Sequence, residues 1–78
     1  MNPNNVVRLA DCIPAGTDVY KALLFPGAEA QLAESLIKEC GGKRVKVYPK
    51  LCEVEFCADL PAMQKVRRLM FVMSVEKS

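Results

Sequence analysis

Along residues 19–75 the apolar positions keep changing period, and a turn signal stands at nearly every change. Residues 19–25 (Val19, Tyr20, Lys21, Ala22, Leu23, Leu24, Phe25) form a short, mostly apolar run that stops at Pro26-Gly27, which is the length and boundary of a strand. Thr17 and Asp18 offer a competing reading, a cap on a helical turn over 19–24, because Ala22, Leu23 and Leu24 are good helix formers. From Ala28 to Cys40 the period becomes helical: Leu32, Ala33, Leu36, Ile37 and Cys40 share one face, while Glu29, Glu34, Lys38 and Glu39 take the other. Gly41-Gly42 then supplies a left-handed stop. Val45 and Val47 alternate with Arg44, Lys46 and Tyr48, Pro49-Lys50 turns the chain, and Cys52, Val54 and Phe56 alternate with Leu51, Glu53, Glu55 and Cys57. These two runs predict a hairpin, 44–48 against 52–56, with Arg44 and Lys46 across from Glu53 and Glu55. Asp59-Leu60-Pro61 is a capped entry to a second helix, continued by Met63, Val66, Leu69 and Met70. Leu69, Phe71, Met73 and Val75 also alternate and predict a last strand, with no glycine to mark where the helix gives way.

Strand, helix, strand, strand, helix, strand is the order of an α+β, ferredoxin-like βαββαβ two-layer sandwich, a four-stranded antiparallel sheet with two helices on one face. The pattern predicts a single domain over 17–78 and an N-terminal arm over 1–16, partly disordered, with Val6, Val7, Leu9 and Ile13 as its apolar residues. The apolar phases direct Leu32, Leu36, Val45, Val54, Phe56, Val66 and Leu69 into the core. In this architecture the first strand is central. If Ala22 and Leu24 point to the helices, then Val19, Leu23 and Phe25 face the open side beside Leu51 and Val72, with Lys21 at the rim. Such a patch predicts self-association as a homodimer, or a protein partner docked on the sheet. The opposite phase leaves Tyr20, Ala22 and Leu24 outside and removes the patch.

Composition narrows the class. With 51% hydrophobic and 26% charged residues the chain is globular, and at 78 residues it builds a core small enough for a partner to add stability. A net charge of +2 is too small to argue for nucleic acid from the total, so only a local patch can. The longest apolar runs fall far short of the ~18 residues that span a bilayer. Met1-Asn2-Pro3-Asn4-Asn5 has neither a basic nor an apolar export region, which predicts a cytoplasmic protein with reduced thiols.

Chemistry-bearing residues are sparse. There is no histidine, and Cys12, Cys40, Cys52 and Cys57 are separated by 28, 12 and 5 positions, so no Cys-x-x-Cys pair exists. A zinc site would need all four thiols, yet Cys52 and Cys57 have opposite parity on one strand. Neither a metal nor a cofactor is expected; Cys40 and Cys52 read as core and Cys57 as near the surface. Glu53 and Glu55, about 7 Å apart on one strand face, lack a cleft between them. Gly41-Gly42 lacks the Lys-Ser/Thr pair of a phosphate loop. Enzymatic activity is therefore not expected. The cations Lys43, Arg44, Lys46 and Lys50 around Tyr48 suit an anionic partner, nucleic acid included, although Glu53 and Glu55 oppose them. Lys65, Arg67 and Arg68 form a second cluster, at a helix end whose dipole favours cations.

Two partial resemblances exist. Phe25-Pro26-Gly27, Ala33-Glu34, Leu36, Lys38-Glu39 and Gly41 look like the first strand and helix of small ferredoxin-fold sulfur or selenium carriers, whose Cys-Gly pair is absent: Cys52 precedes Glu53, and Cys57 precedes Ala58. The helix ending in Gly41-Gly42 before Val45-Lys46-Val47-Tyr48-Pro49 is similar to the dimerisation part of phage Mor-type transcription activators. The leading expectation is a non-enzymatic protein-binding module. It would inhibit or regulate a larger, nucleic-acid-handling complex, in the manner of small phage or mobile-element proteins such as anti-CRISPR inhibitors. Lys43, Arg44, Lys46, Tyr48, Lys65, Arg67 and Arg68 are its candidate partner-binding residues. The alternatives are a nucleic-acid-binding module or transcriptional regulator, and a thiol carrier using Cys52 or Cys57.

Overall fold

The structure is a computed structural model that describes residues 14–78; the apolar residues of the arm before Pro14, and Cys12, lie outside them. In chain order it contains β1 (Asp18–Leu24), α1 (Ala30–Glu39), β2 (Lys43–Tyr48), a 3-10 turn (Pro49–Leu51), β3 (Glu53–Ala58), α2 (Leu60–Arg67) and β4 (Val72–Lys77). The strands form one antiparallel sheet in the order β2-β3-β1-β4. This is the α+β ferredoxin-like sandwich that the period changes predict. Residues 19–24 are strand, and the helical reading of them does not hold.

One apolar layer joins sheet and helices. Tyr20, Ala22 and Leu24 of β1 and Val54 and Phe56 of β3 pack with Ala33 and Ile37 of α1 and with Ala62, Met63 and Val66 of α2. The Tyr20 and Phe56 rings lie 5.9 Å apart across the β1–β3 pair. The first strand therefore has the phase with Ala22 and Leu24 inward and Val19, Lys21 and Leu23 on the open side.

Within α1 the buried stripe is rotated from the expected one. Ala33 and Ile37 are fully buried, Leu36 is half-buried and Leu32 is 52% exposed. Both leucines satisfy the helical period, but Ala33, the smallest member of that face, sits against the core and leaves the larger leucines on the flank. The C-terminus of α1 carries a two-glycine cap: the Gly42 N–H donates to the Ile37 carbonyl at 2.9 Å, and the Gly41 N–H to the Lys38 carbonyl at 3.0 Å. Gly41 takes φ +107°, which favours glycine. Gly42 is required for space: a Cβ there would stand 2.7 Å from Ile37 Cγ2.

Asp59 caps α2 by accepting from the Ala62 N–H at 2.9 Å, with Pro61 in the first turn. The helix ends without glycine because the Arg68 and Leu69 N–H groups bond three residues back, to Lys65 and Val66, tightening the last turn. Leu69 and Phe71 consequently pack on the core from the connecting turn, and β4 starts at Val72, not at Leu69. Val72 is buried, a correction to its expected place on the open side. An irregularity between Leu23 and Leu24 shifts the β1–β4 register and leaves Met73 52% exposed.

The β2–β3 hairpin also departs from a regular ladder. Lys46 opposes Glu55 and Tyr48 opposes Glu53, two residues out of the register that would set Arg44 against Glu55 and Lys46 against Glu53, and the register shifts between Lys43 and Lys46. Arg44 lies in that irregular stretch with φ +53°, so it has no glutamate opposite it.

Candidate functional site

The registers arrange the open face of the sheet in rows. In the middle row Lys46, Glu55, Lys21 and Glu76 follow one another across all four strands, a ladder of alternating charge. Towards the β2–β3 turn, the next row is Tyr48, Glu53, Leu23 and Ser74. On the other side lie Lys43, Cys57 and Val19. The face is thus divided by charge and is not a continuous apolar patch. Lys21 joins the two rows through a 4.0 Å ion pair with Glu53. Such an exposed pair fixes geometry more than it stabilises, contributing at most ~1 kcal/mol.

This division separates the residues expected to mediate self-association. Val19 stands beside Cys57, four residues or ~13 Å along β1 from Leu23. Leu23, Phe25 and Leu51 collect at the other end, where the Leu24 N–H donates to the Cys52 carbonyl at 2.7 Å and the Phe25 N–H to the Phe71 carbonyl at 2.9 Å. Phe25 is 47% exposed there and Leu51 62%. Met73, at the register shift of β4, adds a third large exposed apolar side chain in this region; the alternation of 69–75 gives no sign of it because a bulge breaks parity.

An open cleft of about 520 Å³ adjoins this end, lined almost entirely by apolar atoms of Val47, Tyr48, Pro49, Lys50 and Leu51. Pro49 opens the 3-10 turn that shapes it, and Cys52 closes the turn in the left-handed region at φ +53°. Tyr48, Lys50 and Leu51 of these five belong to the residues singled out from sequence, but the cleft itself is not foreseen there, where Pro49-Lys50 reads as a turn.

The cations divide into two surfaces. Lys43, Arg44 and Lys46 are exposed along β2, with Lys50 in the turn; Lys65, Arg67 and Arg68 are exposed on α2 and its cap, in the other layer. Among the described residues the ion pairs are Lys21–Glu53, Glu34–Lys38 and Asp18–Lys77, so none of these seven cations is neutralised within 4.0 Å. The Lys46 ammonium lies 5.6 Å from the Tyr48 ring centre and turns to that ring, while Glu55 across the strand makes no ion pair with it.

The cysteines reverse the expected order of burial. Cys57 is only 1% exposed, whereas Cys40 and Cys52 are half-buried. Cys57 lies on the open-face parity, outside the main core, between β1 and the irregular part of β2. Burial pushes its thiol pKa up, the Arg44 charge pulls it down and Glu55 pushes it up. Burial likewise raises Cys40, with Lys65 opposing and Glu39 adding. A carrier thiol needs access and a lowered pKa, and Cys57 has neither. Among the described residues no three His, Cys, Asp or Glu side chains gather into a cation site, and no helix is long and apolar enough to cross a membrane. No known protein family matches the chain, and neither the curated proteins nor the solved structures give a significant match to it.

Proposed function

We propose that this protein is a non-enzymatic binding module that acts in the cytosol by docking on another protein, inhibiting or regulating a larger assembly as small phage and mobile-element inhibitors do. One observation carries the reading: Phe25, Leu51 and Met73 are large, exposed and at one end of a sheet face whose middle row is a charge ladder. Apolar anchors bordered by polar rows are the anatomy of a recognition surface. A second copy of the chain is one partner such an end would accept. The test is affinity capture from the native host with the parent and with Phe25→Glu and Leu51→Glu. Both positions are exposed, so the variants should keep the parental melting temperature while losing the captured polypeptide. Retention of the same polypeptide by both variants would sink the reading.

The Lys46–Tyr48 contact favours a second reading, nucleic-acid binding through Lys43, Arg44, Lys46, Lys50 and Tyr48, since a cation beside a ring suits phosphate and base together. Phosphate contacts strengthen as salt falls. A gel shift with mixed RNA and DNA that shows no complex even at low salt removes it.

A further inference from the structure

We propose that β2 is a peptide-docking edge: an acidic, extended segment of a partner protein adds to the sheet along Val45–Tyr48 and sets one large apolar side chain into the cleft of residues 47–51. The inference rests on the protein-binding reading and names the chemistry of the partner.

Three observations converge on this edge. First, β2 is terminal in the sheet and pairs only with β3, so one side of its backbone meets no other strand among the described residues. Unpaired N–H and C=O groups in a row are a template for an added strand. The register shift between Lys43 and Lys46 breaks the regular edge at its start, which confines pairing to the part nearest the cleft.

Second, residues 43–52 contain Lys43, Arg44, Lys46 and Lys50 and no acidic residue, and none of these cations is ion-paired among the described residues. Lysines on an edge repel a second basic edge, which makes an identical copy of β2 a poor occupant and an acidic strand a good one. Third, the cleft stands at the end of the same strand, and its volume of about 520 Å³ with an apolar lining accepts a leucine-sized or aromatic side chain. Backbone pairing beside a side-chain pocket is how strand-adding recognition obtains affinity and specificity together. A nucleic acid fits less well. The lining offers a single aromatic ring, too few for successive bases to stack, and Glu53 and Glu55 stand on the neighbouring strand where phosphates would have to approach.

The experiment is a selection of displayed random ten-residue peptides on the whole protein, followed by titration of the best synthetic peptide while the amide resonances are observed. Expected are sequences that alternate Asp or Glu with apolar residues around one large apolar side chain, with shifts confined to residues 45–51. Lys46→Gln with Lys50→Glu, which sets no like charge opposite Glu55, should weaken binding at least tenfold at an unchanged melting temperature. N-methylation of the peptide at alternate backbone nitrogens should abolish binding, while the intervening positions tolerate it. That last arm leaves the protein unaltered and separates strand addition from docking by side chains alone.

The proposal is overturned by selected peptides that lack acidic residues, by indifference to N-methylation at every position, or by a twelve-residue oligouridylate that shifts the same amides more tightly than any peptide. If no peptide is selected while the cellular partner is still lost with Leu51→Glu, strand addition fails and the protein-binding reading stands. If peptides dock as described while the cellular partner ignores Phe25→Glu and Leu51→Glu, the broader reading fails and the docking edge stands.

Discussion

Replacing Ile37 by alanine tests the packing of the sandwich at its most informative point. Ile37 has no exposed surface and belongs to the cluster that joins α1 to the sheet. The substitution deletes three carbons; at ~0.8 kcal/mol per buried methylene the transfer loss is ~2.4 kcal/mol, and the cavity left behind raises it to ~3–4 kcal/mol. A domain of this length holds ~4–12 kcal/mol in total, so the variant should lose between a quarter of its stability and nearly all of it. With a urea m-value of ~1–1.5 kcal/mol/M, the low end for small proteins, the midpoint should fall by ~2–4 M at unchanged slope. Leu32→Ala is the control. Leu32 is half exposed, and its loss should stay within ~0.5 kcal/mol, with Leu36→Ala between the two. Leu32→Ala or Leu36→Ala unfolding as readily as Ile37→Ala would mean that the leucine side of α1 faces the sheet, and the packing drawn for this helix would be wrong.

Three further outcomes follow from local geometry. Gly42→Ala should cost ~1–3 kcal/mol, because its Cβ would crowd Ile37 at both Cγ2 and the carbonyl. At ~4–8 °C per kcal/mol a thermal melt reads this directly, and a parental melting temperature would refute the cap geometry. Glu55→Lys makes the middle row cationic from β2 through β3 to β1 and should destabilise by ~0.5–1 kcal/mol, less at high salt; an effect independent of salt would mean the row does not exist as drawn. Burial raises the thiol pKa of Cys57 and of Cys40, so above the ordinary thiol pKa of ~8.5 the unfolded chain gives up these protons first. Stability should be full below that value and decline as pH rises through the folded pKa; urea midpoints at pH 8 and pH 10 that agree in the parent would contradict the burial of these thiols.

The element order was legible because each change of period coincides with a turn chemistry that admits few alternatives, as at Pro26-Gly27 and Gly41-Gly42. The phase of β1 was left open by its pattern, because both of its faces carry apolar residues; the packing of Tyr20, Ala22 and Leu24 against the helices decides it. The rotation of α1 was not: Leu32 and Ile37 satisfy the same helical period, and which of them meets the sheet depends on how closely Ala33 lets the helix approach. The same kind of limit applies to the candidate surface. Alternation placed Lys46 on the face shared with Glu53 and Glu55, but which glutamate it meets depends on the register shift at Arg44, and no pattern of one strand encodes that shift. Met73 and the 47–51 cleft escaped for a related reason, because a bulge and a 3-10 turn break the parity on which strand reading depends.

The irregularity at Arg44 also separates β2 into two segments with different attachments. Its Lys43 end follows directly on Gly41 and Gly42, and so is tied to Ile37 of α1 and to Ala62 of α2, 3.1 Å from where a Gly41 Cβ would be. Its 45–48 half is held by β3 and by Val45 and Val47, which are only partly buried. Amide hydrogens of residues 45–48 should therefore exchange through a local opening well below the global unfolding free energy, while those of β1 and β3 wait for the whole domain. The edge that bears the unpaired cations should thus be able to exchange its neighbours while β1 and β3 stay paired.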